Sequence, residues 1–221
     1  MPKADPLVYL NPVMDELAKK WPENRTVNIA CHGHSVPAGY FATPYVNAFD
    51  SYPHLLHRII KERFPFAVTN VIVTAIGGEN SLGGEKRLEG EVLNHNPSAI
   101  TLDYALNDRG IGLDRAEGAW RGMIEKALAR GVRVILVTPS WETAYFRRDT
   151  DESWGDLLRH NELIHKLADE YGVGLADAFS RFAGAVTEDS DLVALLSHGN
   201  HPNAAGHRMI AEEIGKFFLA R

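Results

Sequence analysis

The stretch VNIACHGHSVPAG, residues 27–39, joins a short apolar run to a polar cluster flanked by Gly33 and Gly39. A buried parallel strand reads this way when it carries a reactive side chain to the carboxyl edge of a sheet. Ser35 is the candidate nucleophile. A serine hydroxyl is weak until a base takes its proton, so the rest of the chain must supply a histidine and donors for a developing oxyanion.

Downstream of this stretch the pattern repeats. Residues 68–76, 99–102, 132–137 and 173–175 are further short apolar runs. Between them lie segments of helical spacing: Leu55, Leu56, Ile59, Ile60 and Phe64; Leu88 and Val92; Trp120, Ile124, Ala127 and Leu128; Leu157, Ile164 and Leu167; and finally Ile210, Ile214, Phe217 and Phe218. Asp114 and Glu117 have capping-box spacing at the start of the third of these, and Gly131 stands at its end. Asn203 reads as the N-cap of the last helix. Five apolar strands alternating with helices predict a three-layer α/β/α sandwich on a five-stranded parallel sheet, because right-handed crossovers cover both faces.

Composition fits that class. The 221 residues suit one domain, with 45% apolar and 24% charged residues. Residues 1–26 read as an N-terminal appendage packed on a single domain spanning 27–221. The net charge of −6 speaks against a nucleic-acid surface. No basic region followed by a long apolar core opens the chain, so a signal peptide, membrane insertion and a spanning helix are not expected, and the expected location is cytoplasmic. One cysteine, Cys31, excludes an internal disulfide and reads as a small core residue. Oligomeric state is not legible.

Ligands of open α/β sheets bind outside the carboxyl ends of the strands. Those ends carry Ser35, Gly78 and Asn107, and the loop Ser197-His198-Gly199-Asn200-His201-Pro202-Asn203 can bring His201 beside them. Gly33-His34-Ser35, Gly78, Asn107-Asp108 and His201-Pro202-Asn203, in this order, resemble the four blocks of the SGNH (GDSL-like) hydrolases. The resemblance spans roughly residues 27–220 and implies a flavodoxin-like fold and ester hydrolysis through a serine acyl-enzyme, without a cofactor. It implies Ser35 as nucleophile, His201 as general base, and the N–H groups of Ser35 and Gly78 with the Asn107 amide as the oxyanion hole. The implied partner is a small-molecule ester with a short acyl group, an acetylated sugar being the first candidate.

Three positions depart from the family pattern: His34 replaces an aspartate, Ala105 a glycine, and His198 the aspartate that orients the catalytic histidine. The expected substitute on His201 Nδ1 is a main-chain carbonyl of the 197–200 loop, with Glu142 or Asp108 as alternatives. Glu79, Glu85 and Arg87 read as solvated charges, and Tyr104, Trp141, Tyr145 and Phe146 as pocket wall or core. The long 36–50 and 140–153 loops are expected to set specificity. Two other readings compete: a metallohydrolase using His32, His34, His198 and His201, and a noncatalytic carbohydrate- or lipid-binding relative.

Overall fold

The computed structural model describes residues 2–219. Its centre is a five-stranded, all-parallel sheet of order β2-β1-β3-β4-β5, formed by Thr26–Gly33, Val68–Val73, Ala99–Asp103, Arg133–Val137 and Gly174–Ala176 as β1 to β5. The chain moves outward from β1 to β2, then back across to β3. Neighbouring β1 and β3 therefore send their connections in opposite directions, opening a crevice at their carboxyl ends.

Alternation along the strands divides the core in two. Ile29, Cys31, Ala99, Ile135 and Val137 face one apolar layer, while Ala30, Ile100, Leu102, Val134 and Leu136 face the other. The helices, in chain order, are α1 (Asn11–Leu17), α2 (Ser35–Ala38), α3 (Tyr52–Arg63), α4 (Ser81–Arg87), α5 (Ala105–Asp108), α6 (Leu113–Ala129), α7 (Ser153–Tyr171), α8 (Ala178–Ala183), α9 (Asp189–Leu195) and α10 (Ala204–Leu219). The first layer is closed by α1, α3, α8 and α10 through Leu17, Leu56, Phe182 and Phe217. The second is closed by α6 and α7 through Trp120, Ile124, Ile164 and Leu167. This is the three-layer α/β/α sandwich. No described helix is long and apolar enough to cross a membrane.

Several expected boundaries move for identifiable reasons. β1 runs on to Gly33 because His32 and Gly33 pair with Leu102 and Asp103. The expected capping box at Asp114 is absent: α6 begins at Leu113 behind Gly112, whose positive φ turns the chain. Glu117 instead pairs with Arg121 and Lys166. The Leu88–Val92 turn is a wide π-type turn following α4. Gly131 does stand in left-handed conformation behind α6.

Residues before β1 pack on the domain. Val13, Met14 and Leu17 of α1 are buried, Ala4 N–H bonds the Val173 carbonyl, and the Tyr9 hydroxyl accepts from Val134 N–H.

Candidate active site

Ser35 begins α2 directly beyond β1. His34 caps that short helix, its Nδ1 accepting from Val36 N–H at 3.1 Å. Because Nδ1 accepts, Nε2 carries the proton, and it faces the Asp103 carboxylate at the end of β3 at 3.3 Å. Both side chains are buried, and His34 N–H bonds the Asp103 carbonyl at 3.2 Å, holding the turn that presents Ser35.

The second side chain arrives from a two-stranded antiparallel hairpin, Leu196–His198 (β6) with His201–Pro202 (β7). The Ser197 hydroxyl lies 3.1 Å from the carbonyls of His201 and Pro202. Asn203 then starts α10 as its cap, accepting from Ala205 and Gly206 N–H, while its amide donates to the Ala194 carbonyl. The hairpin is thereby tied at both ends, and His201 is nearly buried.

His201 Nε2 lies 2.9 Å from Ser35 Oγ, and Nδ1 lies 2.8 Å from the Phe41 carbonyl oxygen. A carbonyl only accepts, so Nδ1 holds the proton and the Nε2 lone pair faces the serine hydroxyl. Burial lowers the His201 pKa; the Phe41 bond opposes this, and His34 and His198 add to it. The imidazole is therefore neutral and in the tautomer a general base needs.

The acceptor comes from a place the sequence reading did not anticipate. It belongs to the 36–50 loop, not to residues 197–200. Phe41 N–H bonds the Tyr45 carbonyl, Asn47 N–H bonds the Gly39 carbonyl, and the Phe41 ring stacks on His207 at 5.1 Å. His207 is fully buried, its pKa lowered by burial to about 3, and it accepts from Tyr52 N–H. The carboxylate alternatives lie elsewhere. Glu142 pairs with Arg109 at 2.6 Å, and Asp108 accepts from Ser81 N–H and Trp120 Nε1–H.

Gly78 and Asn107 complete the surroundings. Gly78 has φ +79°, and a Cβ there would meet nothing within 4 Å, so its backbone stands open to the cleft. Asn107 Nδ2 gives one proton to the Glu79 carbonyl at 2.9 Å, leaving the other available. Ser35, Tyr40, Thr43, Gly77, Gly78, Asn107, Asn200 and His201 line a cleft of about 350 Å³. The four residues expected from the sequence thus share one cleft at the β1/β3 crevice.

Other expected participants are placed differently. Tyr104 is fully buried beneath the cleft, and Trp141 packs among Tyr145, Trp154 and Phe179. The aromatic of the cleft is Tyr40, whose ring rests against Gly77 and tilts beside His201; its Gly-flanked loop position was its only sequence signal. The 140–153 loop supports the hairpin through Thr143 N–H to the Gly199 carbonyl. Glu79 and Arg87 are a largely buried ion pair, not solvated charges.

Burial pushes the Cys31 thiol up to about 12, as befits a core residue. His32 bonds Thr74 and the Gly84 carbonyl, and no group of three or more potential metal-ligating side chains occurs among the described residues.

The family profile described as GDSL-like lipase/acylhydrolase matches residues 31–209. The chain belongs to this GDSL-like family. It is accordingly an ester-hydrolysing enzyme. Solved structures share the GDSL-like fold. Axe2, an acetylxylan esterase from Geobacillus stearothermophilus, is 18% identical with TM-score 0.75, covering 87% of this chain and 94% of its own. A putative lipolytic protein of the G-D-S-L family from Desulfitobacterium hafniense is 18% identical with TM-score 0.68, covering 86% and 99%. No curated protein sequence matches significantly.

Proposed function

We propose that this GDSL-like enzyme is a serine esterase that hydrolyses short O-acyl esters through a Ser35 acyl-enzyme, with His201 held by a main-chain carbonyl in place of a carboxylate. The observation that carries this reading is the unbroken series Ser35 Oγ, His201 Nε2, His201 Nδ1, Phe41 carbonyl, with both contacts under 3 Å.

In the first half-reaction Ser35 Oγ bonds the ester carbonyl carbon while its proton passes to His201 Nε2. The carbonyl electron pair moves onto oxygen, and the N–H groups of Ser35 and Gly78 and the free Asn107 N–H receive that charge. One such donor contributes about 3 kcal/mol to transition-state stabilisation. Collapse expels the alcohol, which takes the proton back from Nε2. Water then attacks the acyl-enzyme, giving its proton to His201, and the second collapse returns that proton to Ser35 and frees the acid.

The Phe41 carbonyl holds the ring throughout and meets the transient imidazolium with a dipole. A neutral acceptor stabilises that cation less than a carboxylate does. Catalytic variants of Axe2 replace a serine, a histidine and an aspartate three residues before that histidine; here that position is His198. The Ser, Thr, Tyr and Asn side chains that line the cleft can hydrogen-bond a hydroxyl-rich alcohol beside Ser35. Together with the fold shared with an acetylxylan esterase, this makes an acetylated carbohydrate the first natural substrate to test.

The test is hydrolysis of p-nitrophenyl acetate, butyrate and octanoate by the wild type and Ser35→Ala, each with and without EDTA. The reading expects acetate to be the best substrate, turnover to resist EDTA, and Ser35→Ala to lose at least about 10³-fold in kcat. Retained turnover in Ser35→Ala, or loss with EDTA, would contradict it.

A further inference from the structure

Behind Gly78 and Asn107 lies a polar cluster that the chemistry above does not use. The backbone remains zipped to the end of β1 after β2 stops, through Thr74 N–H to the Cys31 carbonyl and Ile76 N–H to the Gly33 carbonyl. Glu79 N–H then closes a turn onto the Ile76 carbonyl, with Gly78 in left-handed conformation inside it. The Glu79 side chain folds beneath this turn. Its two oxygens take Arg87 Nε at 2.8 Å and Nη2 at 2.7 Å, and Oε2 also accepts from the Tyr104 hydroxyl at 3.0 Å. Arg87 Nη2 reaches back to the Thr74 carbonyl at 2.6 Å, joining both ends of the segment.

The helix beside the cluster is shaped to admit it. A Cβ on Gly83 would lie 2.9 Å from Glu79 Cγ, and one on Gly84 would lie 2.3 Å from the Tyr104 hydroxyl. Glycine inside a helix costs about 1 kcal/mol relative to alanine. α4 carries two in succession where the Glu79 and Tyr104 side chains need the space.

Glu79 also touches two of the three proposed oxyanion donors through its backbone. It follows Gly78 directly, and its carbonyl accepts the Asn107 amide at 2.9 Å. The Gly78 N–H lies in the peptide unit before the Gly78–Glu79 unit and the Glu79 carbonyl in the unit after it, so a shift of the Glu79 backbone would disturb Gly78 and withdraw the acceptor of Asn107. We infer that Glu79 is a positioning residue for the oxyanion hole: its carboxylate, clamped by Arg87 and Tyr104, fixes the Glu79 backbone, which follows Gly78 and carries the carbonyl that holds Asn107. Arg87 supplies a planar, bidentate fork that a lysine could not reproduce. This inference rests on the serine-esterase reading.

The experiment is a double-mutant cycle on p-nitrophenyl acetate, run after Ser35→Ala, with thermal unfolding of every variant. Asn107→Ala is expected to lose about 100-fold in kcat. Glu79→Ala is expected to lose about 10- to 30-fold in kcat with KM within about threefold. Glu79→Gln, which keeps an acceptor for Tyr104, should lose less. The distinguishing result is coupling: in the Asn107→Ala background the cost of Glu79→Ala should shrink at least about fivefold, because one of its two routes is gone.

Equal costs in both backgrounds, or an unchanged kcat, would overturn the inference while leaving the nucleophile assignment intact. Undiminished turnover in Ser35→Ala would overturn both. If Glu79→Ala does not fold, the same cycle with Arg87→Gln decides by the same criterion.

Discussion

His201 donates its Nδ1 proton to the main-chain carbonyl of Phe41, 160 positions away in sequence, at 2.8 Å. The bond selects the tautomer of His201 without placing a negative charge beside it. Its consequences differ from those of a carboxylate, and they can be measured.

The first concerns pH. Burial lowers the His201 pKa, and no carboxylate opposes that direction. A base with a lowered pKa stays unprotonated to lower pH, so activity is lost only as pH falls through that lowered value. The acid limb of kcat/KM should therefore lie below 6.5, the usual histidine value. A pH–rate profile with a stable p-nitrophenyl ester reads it directly, and a limb above 6.5 would show a missing anionic partner.

His198 supplies a second test. It is exposed; its backbone pairs with His201 across the hairpin, and its side chain lowers the His201 pKa. His198→Ala should keep kcat within about threefold of wild type, whereas His201→Ala should lose at least about 10³-fold. His198→Asp exchanges a repulsive neighbour for an attractive one, so it should move the acid limb upward. Steady-state kinetics across pH 4–8 check both.

Phe41 acts through its backbone, but its side chain holds that backbone in place. The ring is buried and stacks on His207. Phe41→Ala should cost about 3 kcal/mol of stability and lower kcat about 10-fold, since a loosened loop lets the His201 acceptor wander. Phe41→Leu should recover most of both. Denaturant unfolding alongside initial rates separates the two effects.

The Arg109–Glu142 pair joins α5, which carries Asn107, to the segment that braces the His201 hairpin. Its side chains are 19% and 9% exposed, so removing one partner leaves a charge largely desolvated. Glu142→Ala should destabilise the fold by about 2–3 kcal/mol, toward the lower end for a buried pair. Urea unfolding measures this; a change under about 0.5 kcal/mol would mean that solvent screens the pair.

Much of the molecule was legible in its sequence because periodicity and strand-end chemistry are written in side chains. The Trp120, Ile124 and Ala127 stripe gave α6, and Asn203 gave the start of α10. Ser35, Gly78, Asn107 and His201 lie around one cleft because each sits just past a strand or inside a tight hairpin. The Phe41 acceptor was not legible, since every residue owns a carbonyl and only tertiary structure aims one. Glu79 and Arg87 looked solvated because no helical or strand spacing relates positions eight apart across a turn. The capping box at Asp114 misled because Gly112 could already turn the chain into α6.

The central claim is that Ser35 is the nucleophile activated by His201. Incubation with a fluorophosphonate, followed by peptide mapping, tests it most directly. The account predicts one stoichiometric adduct on Ser35, absent in Ser35→Ala and formed at least about 100-fold more slowly in His201→Ala. An adduct on another residue, or labelling of Ser35 at an unchanged rate in His201→Ala, would contradict it.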